Sequence, residues 1–326
     1  MKIVLKLRVS TAAIASAIGL ALVAVPASAT SILFIGNSFT YGAPAGGSSN
    51  VQNYKPNTVT DLNGTNIGGV PALFKAMTVQ AGLDYEVRLE TRGGSGLDYH
   101  YNEKLPTISG FYDKVVLQSY STLDANNPGD PTTLIKYSGL LAEVFHGINP
   151  NVDVMLNSTW SRADLTYQRD SPWLGKPIDQ MALDVRAGYN AADAASDLIN
   201  GVIPVGEAWN RAMADGLADT NPYDGIGAGQ INLWAPDNYH GSYYGYYLEA
   251  LTLFGSITGL DPSLLGSTDI VARDLGIDAA TAVALQRYAS AQLTAEVPEP
   301  SMPLMFLTLG SLIYFTRRAK ASPKSM

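Results

Sequence analysis

Apolar residues in this chain fall into short dense runs separated by longer stretches of helical periodicity. Residues 31–35 (Ser-Ile-Leu-Phe-Ile) are apolar, β-branched or aromatic at several places, and stop at Gly36. Such a run reads as a strand buried on both faces. Residues 85–91 alternate like a strand, and 113–117, 152–156 and 202–205 are further runs of the buried type. Helical patterns occupy residues 70–82, 132–145, 177–199, 206–214 and 242–257. A last one follows Asp278, which suits its N-cap, as far as Leu293. Pro71 fits a first helical turn and Gly82 a stop. Residues 43–69 are rich in Gly, Asn, Ser and Thr and read as one long loop, either a lid beside a rim or an insertion. No internal repeat is present.

Strands alternating with helices predict an α/β fold. The natural form is a three-layer α/β/α, doubly wound parallel sheet of about five strands with the flavodoxin-like arrangement. In that arrangement the loops after the strands meet at one rim, where ligands bind. Ser38, Gly94, Gln118 and Trp160 all follow predicted strands and so share it.

The two ends follow other rules. Lys2, Lys6 and Arg8 precede an Ala-rich apolar stretch, and Ala27-Ser28-Ala29 gives a small-x-small cleavage pattern. Residues 1–29 therefore read as a secretory signal peptide. At the other end, Val297-Pro298-Glu299-Pro300-Ser301 is followed by an apolar run over 302–315 and then by Arg317, Arg318 and Lys320. The run is shorter than the ~20 residues that span a bilayer comfortably. This order resembles the PEP-CTERM sorting signal of Gram-negative bacteria. The resemblance implies processing by an exosortase-type enzyme, transient membrane association through residues 296–326, and delivery to the cell surface or extracellular matrix. A plain tail anchor is the alternative. One domain remains, residues 30–295.

The whole chain has a formal charge of −8, its leader carries three basic residues, and its tail carries four basic and two acidic ones. The domain between them is therefore near −13, a poor match for nucleic acid. Cysteine is absent, which excludes disulfides, thiolate catalysis and Cys-based zinc sites. No metal or organic cofactor is expected.

The candidate chemistry begins at Ser38, in the turn after the first strand. It either caps the following segment or serves as a nucleophile, and a serine hydroxyl needs a base to become one. There are three histidines. His146 lies at a helix end, where a cation suits the dipole. His100 follows the Gly-rich loop and reads as peripheral, with a place lining the cleft as the alternative. His240 stands three residues after Asp237 in Pro-Asp-Asn-Tyr-His-Gly-Ser. In a turn, that spacing lets the carboxylate reach Nδ1–H while Nε2 faces a serine. Otherwise Asp237 merely caps a turn. Trp160 could offer a flat face to a sugar or acyl chain, or pack under a loop. The tyrosines 239, 243, 244, 246 and 247 have the spacing of a packed helix face.

Gly36-Asn37-Ser38-Phe39-Thr40 and Asp237-x-x-His240 together resemble the first and last blocks of the SGNH (GDSL-type) esterases and lipases. Asn37 stands where the family usually has Asp. The resemblance implies an ester hydrolase with Ser38, His240 and Asp237 as its catalytic residues. It also implies an oxyanion hole from the Ser38 N–H, a glycine N–H and an amide side chain. The glycine falls to Gly94, with Gly96 as the alternative. The amide falls to Gln118, which replaces the family's asparagine; Asn157 is the next donor in line. Asn37 and Trp160 are expected beside the substrate, for which an O-acylated carbohydrate such as an acetylated exopolysaccharide is expected. A lipase or thioesterase, or a binding protein without activity, are the other readings.

Overall fold

The computed structural model describes residues 29–43 and 51–296. The expected leader, up to residue 28, and the expected sorting segment, after residue 296, lie outside the described residues.

Six parallel strands form one sheet in the order β2-β3-β1-β4-β5-β6. They are β1 (Thr30–Gly36), β2 (Thr60–Asp61), β3 (Tyr85–Thr91), β4 (Lys114–Leu117), β5 (Asp153–Ser158) and β6 (Val202–Pro204). Without β2, the order is the doubly wound flavodoxin-like one, and the crevice where its strand order reverses lies between β1 and β4. The sixth strand is a difference from the sequence reading. β2 is a two-residue edge strand inside the polar 43–69 stretch, held by pairing Thr60 with Arg88 and Asp61 with Leu89. So short a strand leaves no periodic trace.

The strands are covered on both faces because their side chains alternate. Ile32 and Phe34 of β1 point into one core with Val87, Leu89, Val116 and Ile203. The helices over that core are α2 (Gly69–Gln80), α7 (Val205–Ala214), α8 (Tyr243–Thr258), α9 (Ile270–Leu275) and α10 (Ala279–Glu296). Leu33 and Ile35 point into the other core with Val115, Leu117, Val154 and Leu156. It lies under α3 (Leu97–Ile108), α4 (Thr132–Ile148) and α6 (Ile178–Ala194). Each of these fully buried β1 side chains contributes about 1.5–3 kcal/mol by leaving water, which fixes β1 as the centre of the sheet.

Four α-helices of the described residues were not evident from the pattern, among them the single turn Ser38–Tyr41. α3 carries Pro106 and little apolar content. α5 (Ala163–Tyr167) and α9 are only five and six residues long. The helix expected from Asp278 forms, with Asp278 Oδ1 accepting from the Thr281 N–H at 2.9 Å.

Candidate active site

Ser38 opens α1 (Ser38–Tyr41), a single turn of helix on the carboxyl end of β1. Gly36 is required there. A Cβ on it would lie 2.1 Å from Thr40 Oγ1 and 2.7 Å from Gln118 Oε1, distances that no side chain tolerates. Asn37 caps the turn, its Oδ1 accepting from the Phe39 N–H at 3.1 Å. Its Nδ2 donates to the carbonyls of Ser95 at 2.8 Å and Ser119 at 3.1 Å. Asn37 thus ties together the loops after β1, β3 and β4. It is buried and is spent on that tie, not placed beside a substrate as expected.

Gln118 also differs from the expectation. Its Oε1 accepts from the Asn37 N–H at 3.0 Å and from Thr40 Oγ1 at 3.0 Å, and its Nε2 donates to the Ser119 carbonyl. The amide is buried beneath the Ser38 turn and holds it from below. Family pattern suggested an oxyanion donor, but β4 delivers the side chain under the turn instead. The neighbouring alternative, Asn157, is likewise engaged: its Nδ2 donates to Glu249 Oε1 at 2.9 Å in the core.

Two backbone donors remain. The Ser38 N–H has no acceptor among the described residues, because Asn37 Oδ1 and the Asn37 carbonyl serve Phe39, Thr40 and Tyr41 instead. Gly94 adopts φ +71°, with open space where a side chain would be, and its N–H also has no acceptor among the described residues. Gly96 is covered, since a Cβ there would meet the Tyr120 ring at 2.2 Å. Of the two candidate glycines, Gly94 is therefore the open one.

The turn before α8 supplies the dyad. His240 Nδ1 meets Asp237 Oδ2 at 2.7 Å, and Asp237 Oδ1 accepts the His240 N–H at 2.9 Å and the Tyr239 N–H at 3.0 Å. Burial pushes the Asp237 carboxyl upward, but the His240 ring and these two N–H groups outweigh it and hold the acid at about 2. Asp237 is therefore an anion facing the imidazole. The other ring nitrogen, His240 Nε2, is buried with no hydrogen-bond partner among the described residues. No hydrogen bond joins it to Ser38 Oγ.

Other contacts hold the Ser38 and His240 turns side by side. The Phe39 ring lies 5.6 Å from the His240 ring and 5.4 Å from that of Tyr239, centroid to centroid. Tyr246 Oη donates to the Ser38 carbonyl at 3.3 Å. The Gly241 N–H faces the same hydroxyl.

Trp160 is a correction. It is fully buried, stacked on Trp209 at 4.4 Å with rings parallel within 1°. Its Nε1 donates to the Tyr239 carbonyl at 3.3 Å. It supports the histidine turn from inside and offers no face to a ligand. His100, read as peripheral, is fully buried and paired through Nδ1 with Glu90 Oε2. Burial raises the Glu90 carboxyl, and the His100 bond and charge more than offset it, so Glu90 sits low. His146 lies in the last turn of α4, with Nε2 on the Leu198 carbonyl at 3.0 Å. Tyr246 and Tyr247 are buried in the core, as the helical spacing of the tyrosines predicts.

Sequence reasoning gave Tyr246 only a place on a packed face, without its bond to Ser38, and missed Glu249. Glu249 is fully buried on α8, and burial raises its acid to about 8 despite the bond from Asn157. A glutamate in an otherwise apolar stretch of helix was the available signal.

No family model matches this sequence, and no curated protein matches it. Among solved structures, a DUF4886 family protein from Bacteroides uniformis superposes with a TM-score of 0.53 at 16% identity, over 82% of this chain and 95% of that one. A candidate SGNH hydrolase from Slackia heliotrinireducens gives 0.44 at 22% identity, over 70% and 99%. A carbohydrate esterase family 2 enzyme with a carbohydrate-binding domain, from Corynascus thermopiles (Myceliophthora fergusii), gives 0.40 at 15% identity, over 72% and 67%. At these identities the likeness is one of fold.

Proposed function

We propose that this chain is an exported serine esterase that hydrolyses O-acyl groups, acetyl foremost, on carbohydrate. The observation that carries the reading is the Asp237–His240 dyad: a carboxylate on Nδ1 and an unpartnered, buried Nε2, held beside the turn of Ser38. In the reaction, Ser38 Oγ attacks the ester carbonyl while His240 Nε2 takes its proton. Asp237 keeps the proton on Nδ1 and stabilises the imidazolium. The Ser38 and Gly94 N–H groups receive the oxyanion. His240 then returns its proton to the departing alcohol, and water repeats the sequence on the acyl-enzyme.

Support for the substrate class comes from the neighbourhood of the Gly-rich loop. Tyr41 Oη lies 2.9 Å from where a Gly93 side chain would begin, and the Tyr120 ring covers Gly96. Asp98 is 3.5 Å from Tyr120 Oη, and Tyr99 follows it in the chain. Aromatic faces interleaved with a carboxylate suit sugar rings and hydroxyls better than a long acyl chain. Export through residues 1–29, exosortase-type processing near Pro298–Pro300 and final residence at the cell surface or matrix belong to the same proposal, from the sequence of the ends.

The test is a fluorophosphonate label mapped to its residue, with a p-nitrophenyl ester panel. Labelling at Ser38 that disappears in Ser38→Ala, with turnover of acetyl but not of C8 or longer esters, is the expected result. A preference for long chains would replace carbohydrate ester with lipid-like ester. No label and no turnover would leave a binding protein.

A further inference from the structure

We infer that Arg162 is a positioning residue for the His240 imidazole, acting through the ring of Tyr239; this rests on the hydrolytic reading of Ser38, His240 and Asp237. The Tyr239 and His240 rings are stacked, with centroids 4.1 Å apart and planes 29° from parallel. The guanidinium carbon of Arg162 lies 3.6 Å from the Tyr239 centroid. Cation, phenol ring and imidazole therefore form one stack.

The guanidinium is itself fixed. Its Nε and Nη2 bind the two oxygens of Asp164 at 3.1 and 2.8 Å, and Asp164 is buried. Arg169 Nε approaches the same carboxylate at 3.3 Å. The Asp164 N–H donates to the Asn238 carbonyl at 3.0 Å, and Trp160 Nε1 donates to the Tyr239 carbonyl. The segment after β5 thus grips the 237–240 turn twice by its backbone and once by its ring.

The grip matters because Asp237 is not enough. Its side chain is 39% exposed, so water competes for it, and a single bond to Nδ1 leaves the imidazole free to swing about that bond. A ring stacked against the imidazole removes that freedom, and a planar cation on the ring keeps the ring from turning. Arginine suits this position because its fork binds the carboxylate in two places while its flat face lies on an aromatic; lysine does only part of this.

The experiment uses p-nitrophenyl acetate with Arg162→Ala, Arg162→Lys, Tyr239→Ala and the Arg162→Ala/Tyr239→Ala double variant. Arg162→Ala should lower kcat by about tenfold with KM unchanged, and Arg162→Lys should recover only part. In the Tyr239→Ala background, Arg162→Ala should add nothing; losses that multiply would overturn the inference. A second arm needs no turnover. Diethylpyrocarbonate modification, mapped by peptide mass, should proceed faster at His240 in Arg162→Ala than in the wild type, with His146 as the internal reference. Unchanged His240 reactivity would overturn the inference. If the wild type neither hydrolyses esters nor takes the fluorophosphonate, the hydrolytic reading fails and the carbethoxylation rates alone decide the clamp. Should Arg162→Ala not fold, Arg162→Met, which keeps the apolar stem, takes its place in both arms.

Discussion

Tyr246 Oη donates to the carbonyl of Ser38 at 3.3 Å, so the helix that follows His240 is bolted to the turn that carries Ser38. The two residues are 208 positions apart in sequence, and this bond is a direct polar link between the Ser38 turn and the helix that follows His240. Tyr246 is fully buried, and burial, with Glu249 nearby, keeps its hydroxyl protonated as a donor.

Tyr246→Phe tests the strut. The Ser38 carbonyl also accepts from the Ala43 N–H at 2.9 Å, so it stays satisfied, and Phe fills the same space. The stability loss should be small, about 0.5–1.5 kcal/mol in urea unfolding. Turnover should fall by more than that loss of stability explains, because the Ser38 and His240 turns lose their register. Unchanged kcat would show the bond to be incidental.

Gln118→Ala separates support from catalysis. It leaves the buried Asn37 N–H and Thr40 hydroxyl without their acceptor, at about 1–3 kcal/mol for each unsatisfied group. The urea midpoint should drop with the m-value unchanged. A normal midpoint with a collapse in kcat would return Gln118 to the oxyanion hole.

Asp237→Asn should leave the fold intact and reduce kcat by about 10³–10⁴, since an amide on Nδ1 favours the wrong imidazole tautomer. The acid has a folded-state value of about 2, below the ordinary carboxylate value of about 3.9. Its stabilising contribution is therefore complete above the ordinary value and is lost as pH falls through the folded one. Melting temperatures of wild type and Asp237→Asn should converge between about pH 4 and pH 2. A gap that does not narrow between pH 4 and pH 2 would refute the charge pairing.

Glu249 predicts the opposite pH dependence. Its folded-state acid is raised to about 8, so the folded protein holds a proton that the unfolded chain releases near its ordinary value of about 4.3. Stability should then fall by about 1.4 kcal/mol for each pH unit between the two values. Glu249→Gln keeps the acceptor for Asn157 and has no proton to lose. Its melting temperature should match the wild type near pH 4 and exceed it increasingly up to pH 8. Parallel curves for the two proteins would mean that Glu249 is ionised in the fold.

The sequence by itself determined the sheet and its rim. Residues 31–35 and 152–156 are largely apolar because both faces of a parallel strand are buried, residues 85–91 alternate, and both patterns need no tertiary knowledge. It also brought out Asp237 and His240 as a pair, because their contact at 2.7 Å spans three residues of one turn. Local contacts of this kind are written in spacing. The tertiary structure alone decided which polar groups face inward. Gln118, Asn37 and Trp160 all follow or flank strands at the rim, yet each turns beneath it to satisfy a buried donor or carbonyl from another segment. Tyr246, Glu249, His100 and Arg162 are decided the same way. What each does depends on a partner delivered by a different strand or helix, and a buried polar group takes whichever partner the packing brings within about 3 Å.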